Sequence, residues 1–425
     1  MQLDRLRRQD FVYPDGRAAL DQIERKLQKQ RTALERLRPD TSADQVASTY
    51  ANVRSLLGGT VPMLGFILRS TNVRNAFEAY DPLRRLCRQL FANDQVKLIL
   101  SSDWDFSPVT LPMEHKKQKQ FPGLIFIGLP ATEGDNALLM PLAGHEIAHS
   151  LWQVLNVPRA IQKDALKYVR EALKKRGLTD EQIDADIGEA QNLALRQCEE
   201  VFCDLFAVRL FGNAAMAAFG YFFVPGYEKR SRIYPKLGAR FDYIARAYRV
   251  YFRSTPSITL DDIRPANLPD GSEPDSPILA AADFATSKLI SALIERVGRI
   301  ATKAGIRPPN PRNVSTIIAC FENGCPADGD FALPEIMEAA WVFYEKRVSP
   351  RKWPLSPPLI DRNVVDRISD CVFKTMEVVE YRLRTGRVGG GAEGARKTLA
   401  RKHMTGDMNA KRSRNTAPNK AGALA

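Results

Sequence analysis

The chain has 425 residues, of which 44% are hydrophobic and 26% charged, with 62 Lys and Arg against 49 Asp and Glu and a formal net charge of +13. This apolar fraction is too high for a disordered protein, and the uncharged apolar runs are shorter than the roughly 20 residues that span a bilayer, so no membrane partner is expected. Six cysteines are too few for a disulfide framework in a chain of this length, which predicts a cytoplasmic location.

The hydrophobic pattern predicts a mainly α fold with a small β-sheet, an α+β class. In chain order, it predicts helices at 17–38 and 41–57, strands at 96–100 and 123–128, a helical stretch at 137–252 broken at Pro158, Gly177, Gly212 and Pro225, and helices at 277–303, 334–346 and 359–381. These elements predict five regions, namely an N-terminal helical arm at 1–60, a core at 61–253, a linker or long loop at 254–276, a C-terminal helical region at 277–381 and a disordered basic tail at 382–425.

The positive charge is concentrated in the tail. Residues 382–425 hold eleven basic residues against Glu393 and Asp407, so they carry 11 − 2 = +9 and leave 13 − 9 = +4 to the rest of the chain. This segment has no Phe, Trp or Tyr and contains a Gly-Gly-Gly run, which predicts disorder. Its charge suits nucleic acid or another acidic partner, although a solubilising tail is the simpler interpretation because no aromatic residues accompany the charge.

The segment 144–149 reads GHEIAH and has a pattern that is typical of metal chemistry. His145 and His149 are four residues apart, so a helix places both imidazoles on one face, where they can bind one metal ion. Glu146 lies beside them and can take a proton from an attacking water and pass it to a leaving amine. Zn²⁺ fits because imidazole and carboxylate ligands leave one position open for water. The alternative is a pair of core histidines.

A catalytic zinc needs a third protein ligand, and the only later histidine is His403 in the tail. The segment 198–207, CEEVFCDLFA, offers carboxylates on an apolar helix instead. Glu200 and Asp204 are four residues apart and share a face. Glu200 is therefore the predicted third ligand, and Asp204 is predicted to accept a hydrogen bond from the far nitrogen of a ligating histidine.

Two other interpretations of this helix stay open. Glu199 and Glu200 can face solvent at the edge of the helix, in which case neither binds metal. Cys203 can bind a metal as a thiolate, although its neighbours Phe202 and Leu205 favour an inert buried thiol.

The motifs His145-Glu146-x-x-His149 and Glu200-x-x-x-Asp204 together resemble those of the gluzincin metallopeptidases, the thermolysin-like clan. The resemblance covers about a third of the chain and implies a zincin-like peptidase core with helical additions at both ends. It implies the same three zinc ligands, Glu146 as general base and Asp204 as the support of a zinc-bound histidine. The stretch also resembles uncharacterised bacterial proteins in which a GHExxH helix is followed by an EExFCD-type helix.

The chain departs from the gluzincin pattern at two points. The gap between the two motifs is long, and the histidine that helps to stabilise the oxyanion in thermolysin has no counterpart. Tyr234 and Arg240 are the predicted catalytic residues for that role, with a core or surface position as the alternative. The strand at 123–130 corresponds to the edge strand on which gluzincins bind an extended substrate, and ordinary packing within the sheet is the alternative.

The sequence therefore predicts a zinc metallopeptidase in which Glu146 is the general base for hydrolysis of a peptide or protein substrate. The alternative is a catalytically silent, zinc-stabilised binding or regulatory protein that engages nucleic acid through its basic tail.

Overall fold

The computed structural model describes residues 6–71, 77–93, 96–103, 109–110, 123–223, 231–259, 276–347 and 362–386. The fold is mainly α with a small β-sheet, which confirms the predicted class. The helices are α1 (Pro14–Glu35), α2 (Ala43–Arg69), α3 (Tyr80–Phe91), α4 (Leu142–Val154), α5 (Val157–Lys175), α6 (Asp180–Phe211), α7 (Asn213–Phe223), α8 (Leu237–Phe252), α9 (Pro277–Lys303), α10 (Pro311–Glu322), α11 (Leu333–Arg347) and α12 (Arg362–Thr385), and the strands are β1 (Lys97–Asp103), β2 (Val109–Thr110) and β3 (Leu124–Pro130).

The described sheet has the strand order β1-β3-β2. Strands β1 and β3 are parallel, with Lys97 opposite Leu124, and β2 pairs antiparallel with β3, with Val109 opposite Gly128. All of β3 is buried. Its continuous apolar sequence is typical of a strand that is covered on both faces of the sheet. Because β3 is the middle strand here, the expectation that it is a free edge for an extended substrate is wrong.

Helix α2 is longer than the sequence predicts. Ser42 caps its first turn by accepting a hydrogen bond from the Gln45 backbone N–H at 3.3 Å, but the helix passes through Gly58-Gly59 and Pro62 to Arg69. The buried residues on this half of the helix pack against α1 and the sheet, and this burial outweighs the weak helix propensity of Gly and Pro. The predicted boundary at 60 therefore lies within a helix.

The C-terminal region differs from the prediction in two ways. Helix α10 was not predicted, and α12 continues beyond the predicted end at 381. Arg382 and Arg384 lie on this extension and form ion pairs with Asp328 and Asp81, so the first residues of the predicted tail are helical. The rest of the tail at 387–425, and 260–275 of the predicted linker, lie outside the described residues.

Helix α6 is the element around which the candidate site is organised. Its C-terminal half is buried and packs against α4, α8 and α9, within an apolar cluster that extends from Tyr13 to Val379. A smaller cluster joins α1, α2 and the sheet, and a third joins α5, α6 and α9. The predicted N-terminal, central and C-terminal regions all contribute side chains to the first cluster.

Two of the described helices, α2 and α9, are long and apolar enough to cross a membrane when judged by length and composition alone. The most apolar window of α9 is 50% buried and that of α2 is 33% buried. Helix α9 packs on α5, α6 and α8, as a core helix of a globular protein does.

Candidate metal centre

Helix α4 contacts the end of α6 closely at Gly144. A Cβ atom at this position would be 2.9 Å from Cε2 of Phe211 and 3.3 Å from Cδ1 of Leu210. The absence of a side chain on Gly144 therefore lets α4 approach the C-terminal half of α6. The following turn of α4 carries the two histidines, so this contact sets their distance from the carboxylates of α6.

The two histidines and Glu200 converge on one point. Oε2 of Glu200 lies 3.3 Å from Nε2 of His145 and 3.8 Å from Nε2 of His149. Two donor atoms bound to a tetrahedral zinc at about 2.0–2.1 Å are about 3.3 Å apart, so these separations suit ligands that share one ion. Among the described residues, Oε2 of Glu200 has no hydrogen-bond partner of good geometry, although it is buried. A bound cation would provide the missing partner.

The far nitrogen of each histidine lies against a carboxylate. Nδ1 of His145 is 2.9 Å from Oδ1 of Asp204, and Nδ1 of His149 is 3.2 Å from Oε1 of Glu199. When Nδ1 carries the proton and donates it to the carboxylate, the lone pair of Nε2 is free to bind a metal. Groups on α6 therefore hold both imidazoles in an orientation in which Nε2 could bind a metal ion.

Sequence reasoning assigned no role to Glu199, whose side chain is in fact only 7% exposed and contacts His149. A signal was available, because a second ligating histidine requires its own hydrogen-bond acceptor and Glu199 is the remaining acid on this turn of α6. The alternative in which Glu199 and Glu200 face solvent does not describe this helix, since the Glu200 side chain is 13% exposed.

Arg240 and Tyr234 take positions around Asp204. Arg240 donates from Nη2 to Oδ1 of Asp204 at 2.8 Å and also from Nε to Oδ2, and it is 3% exposed. The ring of Tyr234 lies 4.5 Å from the Arg240 guanidinium carbon. The structure therefore brings Arg240 to the carboxylate that supports His145, and Tyr234 to Arg240.

The centre is rich in negative charge. Four carboxylates, those of Glu146, Glu199, Glu200 and Asp204, accompany Arg240, so the fully ionised group with neutral histidines carries −4 + 1 = −3. Burial raises the pKa of Glu146, with Glu200 and Asp204 adding to the effect. A divalent cation would offset much of this charge, which makes the donor set suitable for a metal ion.

Burial alone would lower the pKa of His145 in the metal-free protein, but the hydrogen bond to Asp204 and the nearby Glu200 carboxylate raise it to about 10. Burial would raise the pKa of Glu200, but His145, His149 and Arg240 hold it below its usual value. His145 is thus charged and Glu200 ionised at neutral pH when no metal is bound.

Cys203 also faces this group. Its sulfur and the ring nitrogens of His145 and His149 lie within 4.8 Å of one another, so these three side chains form a buried group that could hold a metal ion. Burial, followed by the charge of Glu200, raises the pKa of the Cys203 thiol well above its usual value. The thiol is therefore protonated in the metal-free protein, whereas the Glu200 carboxylate is ready to bind.

The structure brings together every residue that the sequence predicted as a ligand or support, namely His145, His149, Glu200 and Asp204, with Glu146 in the same buried cluster. It adds Glu199 as a partner of His149, and it places Arg240 against Asp204. Comparisons of this chain with family models, with curated proteins and with solved structures found no match.

Proposed function

We propose that this protein is a zinc-dependent metallopeptidase of the gluzincin type. The observation that carries the proposal is the position of Oε2 of Glu200, 3.3 Å and 3.8 Å from the Nε2 atoms of His145 and His149. Two imidazoles and one carboxylate are the donor set of catalytic zinc sites that keep a fourth position open. Glu146 follows the first ligand directly on α4, where a general base is needed.

When bound, zinc supplies a Lewis acid that polarises the substrate carbonyl and increases the acidity of water. Glu146 takes the proton of the attacking water and transfers it to the leaving amine. Asp204 and Glu199 keep the histidines in the ligating tautomer, and Arg240 holds Asp204 in place. We assign Arg240 a positioning role and leave Tyr234 as the candidate for contact with substrate.

The test is the Glu146→Gln variant of the full chain. With zinc present, we expect the wild type to cleave members of a mixed peptide library, and the variant to lose at least about 10²-fold in rate because it lacks a general base. Zinc content should stay the same, since Glu146 is not a ligand. Glu181→Gln, an exposed change on α6, is the matched control and should keep full activity. Cleavage by Glu146→Gln at the wild-type rate would mean that the assigned base is wrong.

The alternative is a catalytically silent, zinc-stabilised binding protein, and Cys203 is the observation that favours it. If its sulfur joined His145, His149 and Glu200, the zinc would have four protein ligands, the closed arrangement of structural sites. Acidic partners would then be engaged through the basic residues at 382–425, as the charge of that segment predicts.

Cobalt substitution and a Cys203→Ala variant separate the two functions. A cobalt-thiolate bond gives intense near-ultraviolet absorption, so this absorption in the wild type and its loss in Cys203→Ala would identify a closed site. For the peptidase we expect no such band, and we expect Cys203→Ala to retain both stoichiometric zinc and peptide cleavage.

A further inference from the structure

The C-terminal end of α10 carries two cysteines that take no part in the candidate metal centre. Cys320 lies in the last turn of the helix and is partly buried, whereas Cys325 lies just beyond its end and is exposed. Both are free thiols in the structure. An exposed thiol with a second thiol beside it is the usual arrangement at a site of reversible oxidation.

The turn that ends α10 holds these two residues against each other. The Cys325 backbone N–H donates to the Cys320 carbonyl at 3.1 Å, and the Gly324 N–H donates to the Phe321 carbonyl at 3.0 Å. Gly324 has a φ of 67°, in the left-handed region that favours glycine. These features define a Schellman motif, in which the side chains at the positions of Cys320 and Cys325 commonly contact each other.

The backbone separation suits a disulfide between the two cysteines. With standard bond lengths, the 3.1 Å bond from the Cys325 nitrogen to the Cys320 oxygen limits the distance between their Cα atoms to about 7 Å. Disulfides join residues whose Cα atoms are about 4.4–6.8 Å apart. The Cys325 sulfur also lies 3.5 Å from the Asn323 carbonyl oxygen, so the thiol is turned back toward the end of the helix.

Cys371 on α12 is a third thiol in this part of the protein. The Ala327 backbone N–H donates to Oγ1 of Thr375, one turn after Cys371, at 2.9 Å. Burial and the charge of Asp370 raise the pKa of Cys371, and an ionised Cys325 adds to this effect. Because the thiolate is the form that attacks a disulfide, Cys371 is disfavoured as the reacting partner.

A metal ion is not the ligand that these thiols suit. Among the described residues, the only group of three or more histidine, cysteine or acidic side chains placed to hold a metal ion is the one that contains His145 and His149. The pair at the end of α10 therefore has the chemistry of a dithiol rather than of a metal site.

We propose that Cys320 and Cys325 are a site of reversible disulfide formation that reacts with low-molecular-weight disulfides such as oxidised glutathione. The Cys325 thiolate attacks one sulfur of the small disulfide, which forms a mixed disulfide and releases one small thiolate. The Cys320 thiolate then attacks the Cys325 sulfur and releases the second. The protein loses two electrons and two protons, and the small disulfide gains them and becomes two thiols.

Mass mapping of the full chain in glutathione buffers of increasing oxidised fraction tests the proposal. Trypsin cleaves after Lys and Arg, so residues 313–346 form one peptide that contains both Cys320 and Cys325. After free thiols are trapped, we expect this peptide to lose two hydrogens in oxidising buffer and to regain them in reduced glutathione. Zinc content should be the same in both forms, so the result does not depend on the proposed peptidase activity.

Two variants assign the roles of the thiols. Cys320→Ser removes the resolving thiol and should accumulate the glutathione mixed disulfide at Cys325, whereas Cys371→Ser is the matched control and should form the wild-type disulfide. Absence of the mixed disulfide in Cys320→Ser would contradict the role of Cys325.

The same digest shows whether the pairing is different. Cys371 lies on a separate tryptic peptide, residues 368–374. A wild-type disulfide that joins this peptide to residues 313–346 would overturn the assigned pair. Free thiols at both Cys320 and Cys325 in the most oxidising buffer, or a mixed disulfide at Cys325 that is never resolved in the wild type, would overturn the site.

Discussion

At the level of single residues, the two nitrogens of each histidine have separate partners. Nδ1 of His145 faces Asp204 while Nε2 faces Glu200, and His149 divides its nitrogens between Glu199 and Glu200 in the same way. Burying several carboxylates together is unfavourable unless each has a compensating partner. Arg240 provides that partner for Asp204, and a cation between the Nε2 atoms would provide it for Glu200.

The protonation of His145 predicts that zinc binding releases a proton. In the metal-free protein its pKa is raised from the usual 6.5 to about 10, so the charged form stabilises the fold fully below pH 6.5 and this contribution is lost as the pH rises through about 10. Zinc needs the lone pair of Nε2 and must displace that proton. We expect release of about one proton at neutral pH, and zinc affinity that rises with pH.

Calorimetry of zinc binding in buffers of different ionisation enthalpy measures this proton. Glu181→Gln, an exposed change on α6 away from the histidines, is the control, and its proton release should match that of the wild type. Binding heats that are independent of the buffer at neutral pH would contradict the prediction.

Much of this centre could be predicted from the sequence because its spacing is local. His145 and His149 are separated by one helical turn, as are Glu200 and Asp204, so each pair could be placed on one face without knowledge of the fold. The contact of Glu199 with His149 joins residues 50 positions apart and depends on how α4 crosses α6. The same is true of Arg240, whose partner Asp204 lies 36 positions earlier, on a different helix.

At the level of elements, the approach of α4 to α6 depends on Gly144 and predicts an effect of the Gly144→Ala substitution. The new Cβ would lie 2.9 Å from the Phe211 ring, so one helix must shift, at a cost of about 1–3 kcal/mol. Gly188→Ala on α6 is the matched control, because nothing lies within 4 Å of its new Cβ. Both changes replace a helical glycine, which gains up to about 1 kcal/mol of helix propensity, so the steric contact is the main difference between them.

Urea unfolding of the two glycine variants measures that difference. We expect Gly144→Ala to be less stable than Gly188→Ala by about 1–3 kcal/mol and to bind zinc more weakly, since the histidines move with α4. Equal stability and equal zinc affinity would show that the contact does not position the site.

Some elements differ from the prediction because burial of apolar side chains against other elements outweighs the conformational preference of the local sequence. Gly58-Gly59 predicts a helix end, yet the side chains beyond it bury enough apolar surface against the sheet to keep α2 helical. The resemblance to gluzincins suggests an edge position for β3 and leaves ordinary packing within the sheet as the alternative, and the buried position of β3 between β1 and β2 favours that alternative. A local window of sequence shows neither the strands that pair with β3 nor the surface against which α2 packs.

At the level of the whole molecule, the C-terminal helices support the segment that leads into α4. The Ala137 backbone N–H donates to Oγ of Ser369 on α12 at 3.0 Å, and Nε1 of Trp341 on α11 donates to the Leu138 carbonyl at 2.9 Å. These contacts span more than 200 residues of sequence. The position of the His145-Glu146-x-x-His149 motif therefore depends on helices at the other end of the chain.

Truncation from the C-terminus is expected to separate this support from the basic tail. Helix α12 buries six apolar side chains in the main cluster, those of Val365, Ile368, Val372, Phe373, Met376 and Val379. At roughly 1.5–3 kcal/mol each, their loss amounts to on the order of 10 kcal/mol, which is comparable with the total stability of about 5–15 kcal/mol of a typical domain.

A chain ending at Arg347 should therefore lose cooperative unfolding and zinc binding. A chain ending at Gly386 keeps α12 and should match the full chain in both, as urea titration followed by circular dichroism and metal analysis would measure. Wild-type stability and zinc content in the chain that ends at Arg347 would show that α12 does not support the metal centre.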